Sequence, residues 1–300
     1  MDARLERIGR LAAVARGLER EGAYNGAKLV RLALQRELLR LAEAESPTGS
    51  EAAASAVEAL VRELGPSLPT ALLPYLLEVG PAVRAGRTIP LGDAPRGRVC
   101  RVCGETFLGD AVPPACPACE APAISFHEEL PVWYLEPADR GAILAALAAG
   151  PRHLDAALAG RSDDALGRPP AAGAWSARQT LEHLLFAEQL FATRIGRLLG
   201  EDEPDLAAAA VWADTPASDE GTAATGETAP VLARRIRELR HAAVERLAAL
   251  DDTDWARAGR HPEWGRVTVL SQAAYFARHE ASHLAQLVAA AAGRLPGGPA

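Results

Sequence analysis

Apolar residues recur at helical spacing over most of the chain. Leu5, Ile8, Leu11, Ala15 and Leu18 lie on one face of a helix predicted over residues 2–21. Gly22 to Gly26 breaks that pattern, and a second helix is expected over Ala27–Ala44. Ser46-Pro47-Thr48-Gly49 reads as a loop, followed by a helix over Glu51–Leu64 that Gly65-Pro66 ends. A short helix is expected over Thr70–Val79, and Gly80–Arg98, rich in glycine, proline and arginine, reads as a linker. Residues 98–130 are proline-rich and β-like. Helical periodicity returns from Pro137, near Ala138–Ala159, Ser176–Leu199, Pro230–Leu250 and Thr268–Ala292. Ser176 with Gln179 makes a capping box that fixes one of these starts. The connections Gly160–Trp175 and Gly200–Ala229 are long for a bundle, and the second is a low-complexity run expected to be mobile.

The pattern predicts a mainly α chain in three parts. Residues 1–95 form a helical region, 96–131 a small cysteine-bearing domain, and 136–297 an antiparallel four-helix bundle with metal sites between facing helices. Residues 1–95 contain no histidine and so lack the paired Glu-x-x-His motifs of di-iron bundles; they read as a packing or dimerisation element, with a homodimer as the expected assembly.

Composition narrows the function. At 49% hydrophobic, the chain can bury a substantial core. With 39 acidic against 32 basic residues and a net charge of -7, it does not suit nonspecific nucleic-acid binding, which needs a basic surface. Met1 to Glu6 has no apolar signal-peptide region and no run of about eighteen apolar residues follows, so neither secretion nor a membrane span is expected.

Cys100-x2-Cys103 and Cys116-x2-Cys119 are separated by 12 residues. Each Cys-x-x-Cys turn points two thiolates at one place, and two turns complete a tetrahedral cage for zinc or iron. Clustered thiols of this kind suit a reducing cytoplasm better than a disulfide framework. Gly104 suits the tight turn after the first pair. The stretch from Arg98 to Gly104, with Cys116-Pro117-Ala118-Cys119-Glu120-Ala121-Pro122 and Phe126, resembles the rubredoxin-like domain of rubrerythrins. Glu120 departs from it, since such knuckles often carry glycine there. The resemblance implies iron and one-electron transfer, whereas the same cage takes zinc as a staple.

His279 and His283 lie one turn apart on the last predicted helix, and His183 lies on the second helix of the bundle. His279-Glu280-Ala281-Ser282-His283 also reads as a zinc-protease motif, but no histidine, aspartate or glutamate follows to supply that motif's third ligand. Trp175 to Leu184, His261-Pro262-Glu263-Trp264-Gly265, and His279 to Leu287 together resemble the DinB/YfiT-like superfamily over about residues 136–293. The resemblance implies a four-helix bundle with His183, His279 and His283 as ligands of one metal. Three neutral imidazoles favour zinc, nickel or iron and leave positions open for water or substrate.

Around these ligands, Gln179 and Tyr275 lie one turn before His183 and His279, as supporting or packing residues. Glu280 is either a base for metal-bound water or a solvated glutamate, rotated about 100° from His279. His127, His153, His241 and His261 read as structural or surface residues. Three functions are in view. The first is a metal-dependent enzyme, transferase or hydrolase, activating a small thiol or water at the three-histidine site on a small-molecule substrate. The second is a non-haem iron electron-transfer protein. The third is a metal-binding stress protein without chemistry.

Overall fold

The computed structural model describes residues 3–47, 49–65, 72–87, 96–109, 111–130, 132–209 and 226–295. Helices α1 (Ala3–Arg20) and α2 (Tyr24–Glu45) pack as a hairpin closed at Gly22, which takes a positive φ of 73°. Ala15 and Ala27 are its buried contact points. The break between them is shorter than expected, because Gly26 lies inside α2 and packs beside Leu18. Helices α3 (Ser50–Leu64) and α4 (Leu73–Arg84) form a second hairpin, in which Arg84 bridges Glu51 and Glu58 across the pair. Helix α4 runs on through Gly80 and Pro81, which the linker expectation excluded; Pro81 stands in the last turn of the helix, where its missing amide costs a single hydrogen bond close to the end. Pro66, Thr70 and residues 88–95 of the expected linker lie outside the described residues.

Strands β1 (Gly97–Cys100), β2 (Thr106–Leu108) and β3 (Phe126–Glu129) form an antiparallel sheet in the order β2-β1-β3. Its core is very small: Cys100, Cys116 and Ala121, flanked by Phe107, Cys119 and Phe126.

The bundle consists of α5 (Arg140–Leu158), α7 (Ala177–Gly200), α8 (Ala229–Ala248) and α10 (Val269–Ala291), with short α6 (Asp163–Leu166) and α9 (Asp252–Ala256) in its connections. The Ser176–Gln179 capping box at the start of α7 is present. A hairpin of β4 (Ala258–His261) and β5 (Gly265–Thr268) leads into α10. Around the bundle the neighbours run α5, α8, α7, α10 and back to α5. Two core clusters give the helix directions. Ile143 and Leu147 of α5 pack with Phe191, Ile195 and Leu198 of α7, Leu247 of α8, and Val269 and Ala273 of α10. At the other end, Leu154 joins Leu181 and Leu185, Leu232 and Ile236, and Leu287. Hence α5 runs parallel to its neighbour α10, and α7 parallel to α8. The bundle is therefore not antiparallel throughout, as the sequence pattern suggested. The reason is the long connection from Gly200 to Ala229, whose ends must lie at opposite ends of the bundle; residues 210–225 of it, expected to be mobile, lie outside the described residues. Among the described residues no helix is long and apolar enough to cross a membrane.

Between the two apolar clusters lies a polar layer to which every bundle helix contributes. Arg240 of α8 donates to Glu280 of α10 at 2.6 Å, to Glu188 of α7, and to the Leu147 carbonyl of α5 at 3.0 Å. All three charged side chains are at most 3% exposed. Gly150 of α5 makes the room: a β-carbon there would lie 2.8 Å from the Arg240 guanidinium and closer still to Glu280.

Candidate metal centres

In the knuckle, the same local geometry occurs twice. The Cys100 amide donates to the Glu105 carbonyl and the Gly104 amide to the Cys100 carbonyl, each at 2.8 Å; Cys116 makes the matching pair with Ala121 and Glu120, also at 2.8 Å. Each turn needs a left-handed residue at its fifth position. Gly104 supplies it at φ 87°, and Glu120 adopts it at φ 60° despite its side chain. The departure from glycine thus preserves the turn at a conformational cost. The Cys100–Cys119 and Cys103–Cys116 sulfurs are each 3.7 Å apart. A tetrahedron with metal–sulfur bonds of about 2.3 Å has edges of about 3.8 Å, so these two pairs stand at cage spacing, and all four sulfurs lie within 4.8 Å of one another. The Cys103 amide holds the Cys100 thiol down at about 7. For Cys119 the Ala121 amide acts downward, but burial and the neighbouring thiols raise it to about 12. Four free thiols facing each other repel as thiolates, and a cation in their midst removes that conflict.

The second group depends on tertiary packing. His183 of α7 lies beside α10, its antiparallel neighbour, which carries His279 and His283. The His279 Nε2 is 3.3 Å from His183 Nε2 and 3.2 Å from His283 Nε2. One candidate ligand atom from each of the three lies within 4.8 Å of the others. Three imidazole nitrogens so close cannot all be satisfied by hydrogen bonds among themselves. A divalent ion with bonds of about 2 Å would satisfy all three, so the donor set fits a metal. Burial lowers His183 to about 4, with the nearby His283 adding to it, and lowers His279 to about 3. Both are therefore neutral at pH 7, the form that ligates. Gln286 orients His283 through Nδ1 at 2.9 Å, while the buried Nδ1 of His279 has no partner among the described residues.

Aromatic rings wall this group. Trp175 stacks on His283 with ring centres 6.2 Å apart and packs on His183 at 5.2 Å. Tyr275 stacks on His279 at 5.7 Å. Tyr134, from the segment leading out of the knuckle, meets His279 and Tyr275 edge-on and shares a hydrogen bond of 2.8 Å with Ser282. Arg278 pins that segment by donating to the Tyr134 carbonyl at 2.8 Å.

All seven residues singled out by spacing and resemblance thus gather in two groups. Other expectations change. Glu280 is neither solvated nor beside the imidazole nitrogens; it is held by Arg240 in the polar layer, on the face the 100° rotation implied. Gln179 serves the capping box rather than His183. His127, His153 and His241 are exposed, and His261 is buried against Arg194. Sequence reasoning missed Tyr134, Gln286, Glu188, Arg240 and Gly150; only Gln286, three residues after His283, had a spacing that could have signalled it.

Fold and sites together define a helical-bundle protein with two groups of side chains able to hold metal. Residues 146–287 match the family model of the DinB superfamily, and residues 99–127 that of the rubrerythrin rubredoxin-like domain. The C-terminal bundle is thus DinB-like and the knuckle rubredoxin-like. A similar solved structure is YfiT from Bacillus subtilis, described as a probable metal-dependent hydrolase with an unusual four-helix bundle topology. It is 21% identical, with 50% of this chain and 86% of that chain covered and a TM-score of 0.39. Among curated proteins, none matches.

Proposed function

We propose that the chain is a metal-dependent enzyme, a transferase or hydrolase, whose divalent ion sits among His183, His279 and His283. The observation that carries this is the convergence of three half-buried imidazoles, with His279 Nε2 at 3.2–3.3 Å from the Nε2 atoms of the other two and all three ligand atoms within 4.8 Å of one another. A divalent ion bound by three imidazoles would supply Lewis acidity to a water or small thiol at an open position. The chain's own residues do the rest. Gln286 fixes the orientation of His283, and Trp175 and Tyr275 exclude bulk water from the ligand rings. Zinc, nickel and iron all suit the donor set. The knuckle serves as a separate zinc or iron staple, and its free thiols suit a reducing cytoplasm.

The test is metal analysis of protein purified without supplements. Two metals per chain are expected, with Cys103→Ser and His279→Ala each removing one and leaving the other. Retention of both metals in His279→Ala refutes the reading. A visible iron–thiolate band, with electrons passing between the sites, would replace it by an electron-transfer function.

A further inference from the structure

Three buried arginines invite comparison. Arg240 has two carboxylates, and Arg98 has Glu128 at 3.2 Å. Arg194 of α7, 5% exposed, has no ion pair among the described residues, and its Nε is buried without a partner. Its one hydrogen-bonding neighbour is His261, with Nη2 and Nε2 3.0 Å apart. That contact compensates nothing. The other imidazole nitrogen, Nδ1, already faces the amides of Glu263 and Trp264 at 3.2 Å each. With Nδ1 accepting, a neutral imidazole carries its proton on Nε2 and presents it to a guanidinium that can only donate. A buried charge left in this state is costly unless something anionic meets it.

The position of Arg194 connects it to the three-histidine group. Its guanidinium carbon lies 5.5 Å from the Trp264 ring, Trp264 lies 4.5 Å from Tyr275, and Tyr275 stacks on His279. We propose that Arg194, Trp264 and Tyr275 form a subsite for the carboxylate of a small-molecule ligand, whose body lies along this aromatic wall with its other end at the histidines. The proposal rests on the enzyme reading above, because it names one end of that enzyme's substrate. A single guanidinium matches one monoanionic, planar group. A phosphate would leave charge uncompensated. Burial lowers the Arg194 pKa, with Tyr275 acting in the opposite direction, as expected of a cation without an acid beside it.

The test uses the full-length, metal-loaded chain and two flat probes, benzoate and its neutral analogue benzamide, titrated by calorimetry. Benzoate should bind at least about tenfold more tightly, a difference of about 1.4 kcal/mol. Arg194→Met should abolish the preference while keeping the metal, Arg194→Lys should retain part of it, and the unsubstituted chain stripped of metal by chelation should retain it. Preference surviving in Arg194→Met, or lost on chelation of the unsubstituted chain, places the carboxylate elsewhere and overturns the proposal. The thermal midpoint of Arg194→Met is the second measurement. It should equal or exceed that of the unsubstituted chain, since an uncompensated charge gives way to an apolar side chain. A marked fall would show that the fold already compensates Arg194, and overturns the proposal too. If no metal is held at the histidines but the preference follows Arg194, the enzyme reading fails and the carboxylate subsite stands.

Discussion

The knuckle and the bundle reach similar convergence of ligands by opposite routes. In the knuckle, four sulfurs are aimed by two short turns within 20 residues, over a core of three buried side chains. In the bundle, His183 and His279 are 96 residues apart and meet only because α7 and α10 are packed on two large apolar clusters. The first arrangement is local and short of core; the second is distant and rich in it. A segment as small as the knuckle cannot bury enough apolar surface to fold alone, so metal must supply much of its folding energy, on the order of 10 kcal/mol. The bundle needs no metal to hold its histidines close.

The largest effect that could break this comparison is chelation. Complete removal of metal should disorder Gly97–Glu129 while the bundle keeps its helicity, read as loss of amide protection across β1 to β3 alone. Equal loss of protection in both regions would erase the distinction.

What the sequence made legible follows the same division. Cysteine spacing and the turn glycine Gly104 are local signals, and they marked out the knuckle and its four cysteines. His279 and His283, four apart, were likewise local, but joining His183 to them relied on resemblance, since no spacing rule spans two helices. The polar layer was illegible. Glu188, Arg240 and Glu280 look like ordinary helix-surface charges, and Gly150 like a weak spot in a helix, until the four helices bring them together. Helix direction was equally hidden, because it is decided by where the connections run rather than by any periodicity.

The polar layer supports the next prediction. Arg240→Ala leaves two carboxylates buried without their cation and should destabilise the bundle by about 3–5 kcal/mol. It should also loosen α10 against α7 and weaken metal binding at the histidines, leaving the knuckle's metal in place. Denaturant unfolding and metal titration check this. An unchanged midpoint would mean that apolar packing alone sets the register of the ligand helices.

The smallest effect is one of pH. Burial depresses His183 to about 4 and His279 to about 3, below the usual 6.5. Between about pH 6.5 and 4 the unfolded chain therefore takes up protons that the folded bundle resists, so stability of the metal-free protein should fall as pH drops through this window. Replacing both histidines by glutamine should flatten that slope, measured as midpoint against pH. An unchanged slope would assign it to other groups.

The Tyr134 contact has a consequence for distance. Tyr134 is fastened to α10, the helix that carries His279 and His283, by Ser282 and Arg278, and the last strand of the knuckle ends at Glu129. Five residues of chain extend at most about 18 Å. The knuckle is thus on a leash anchored at the wall of the histidine group, whatever orientation it takes. For any process involving both sites, whether an electron, a proton or a partner touching the two at once, encounter is governed by tether length rather than by free diffusion, and its rate should not depend on protein concentration.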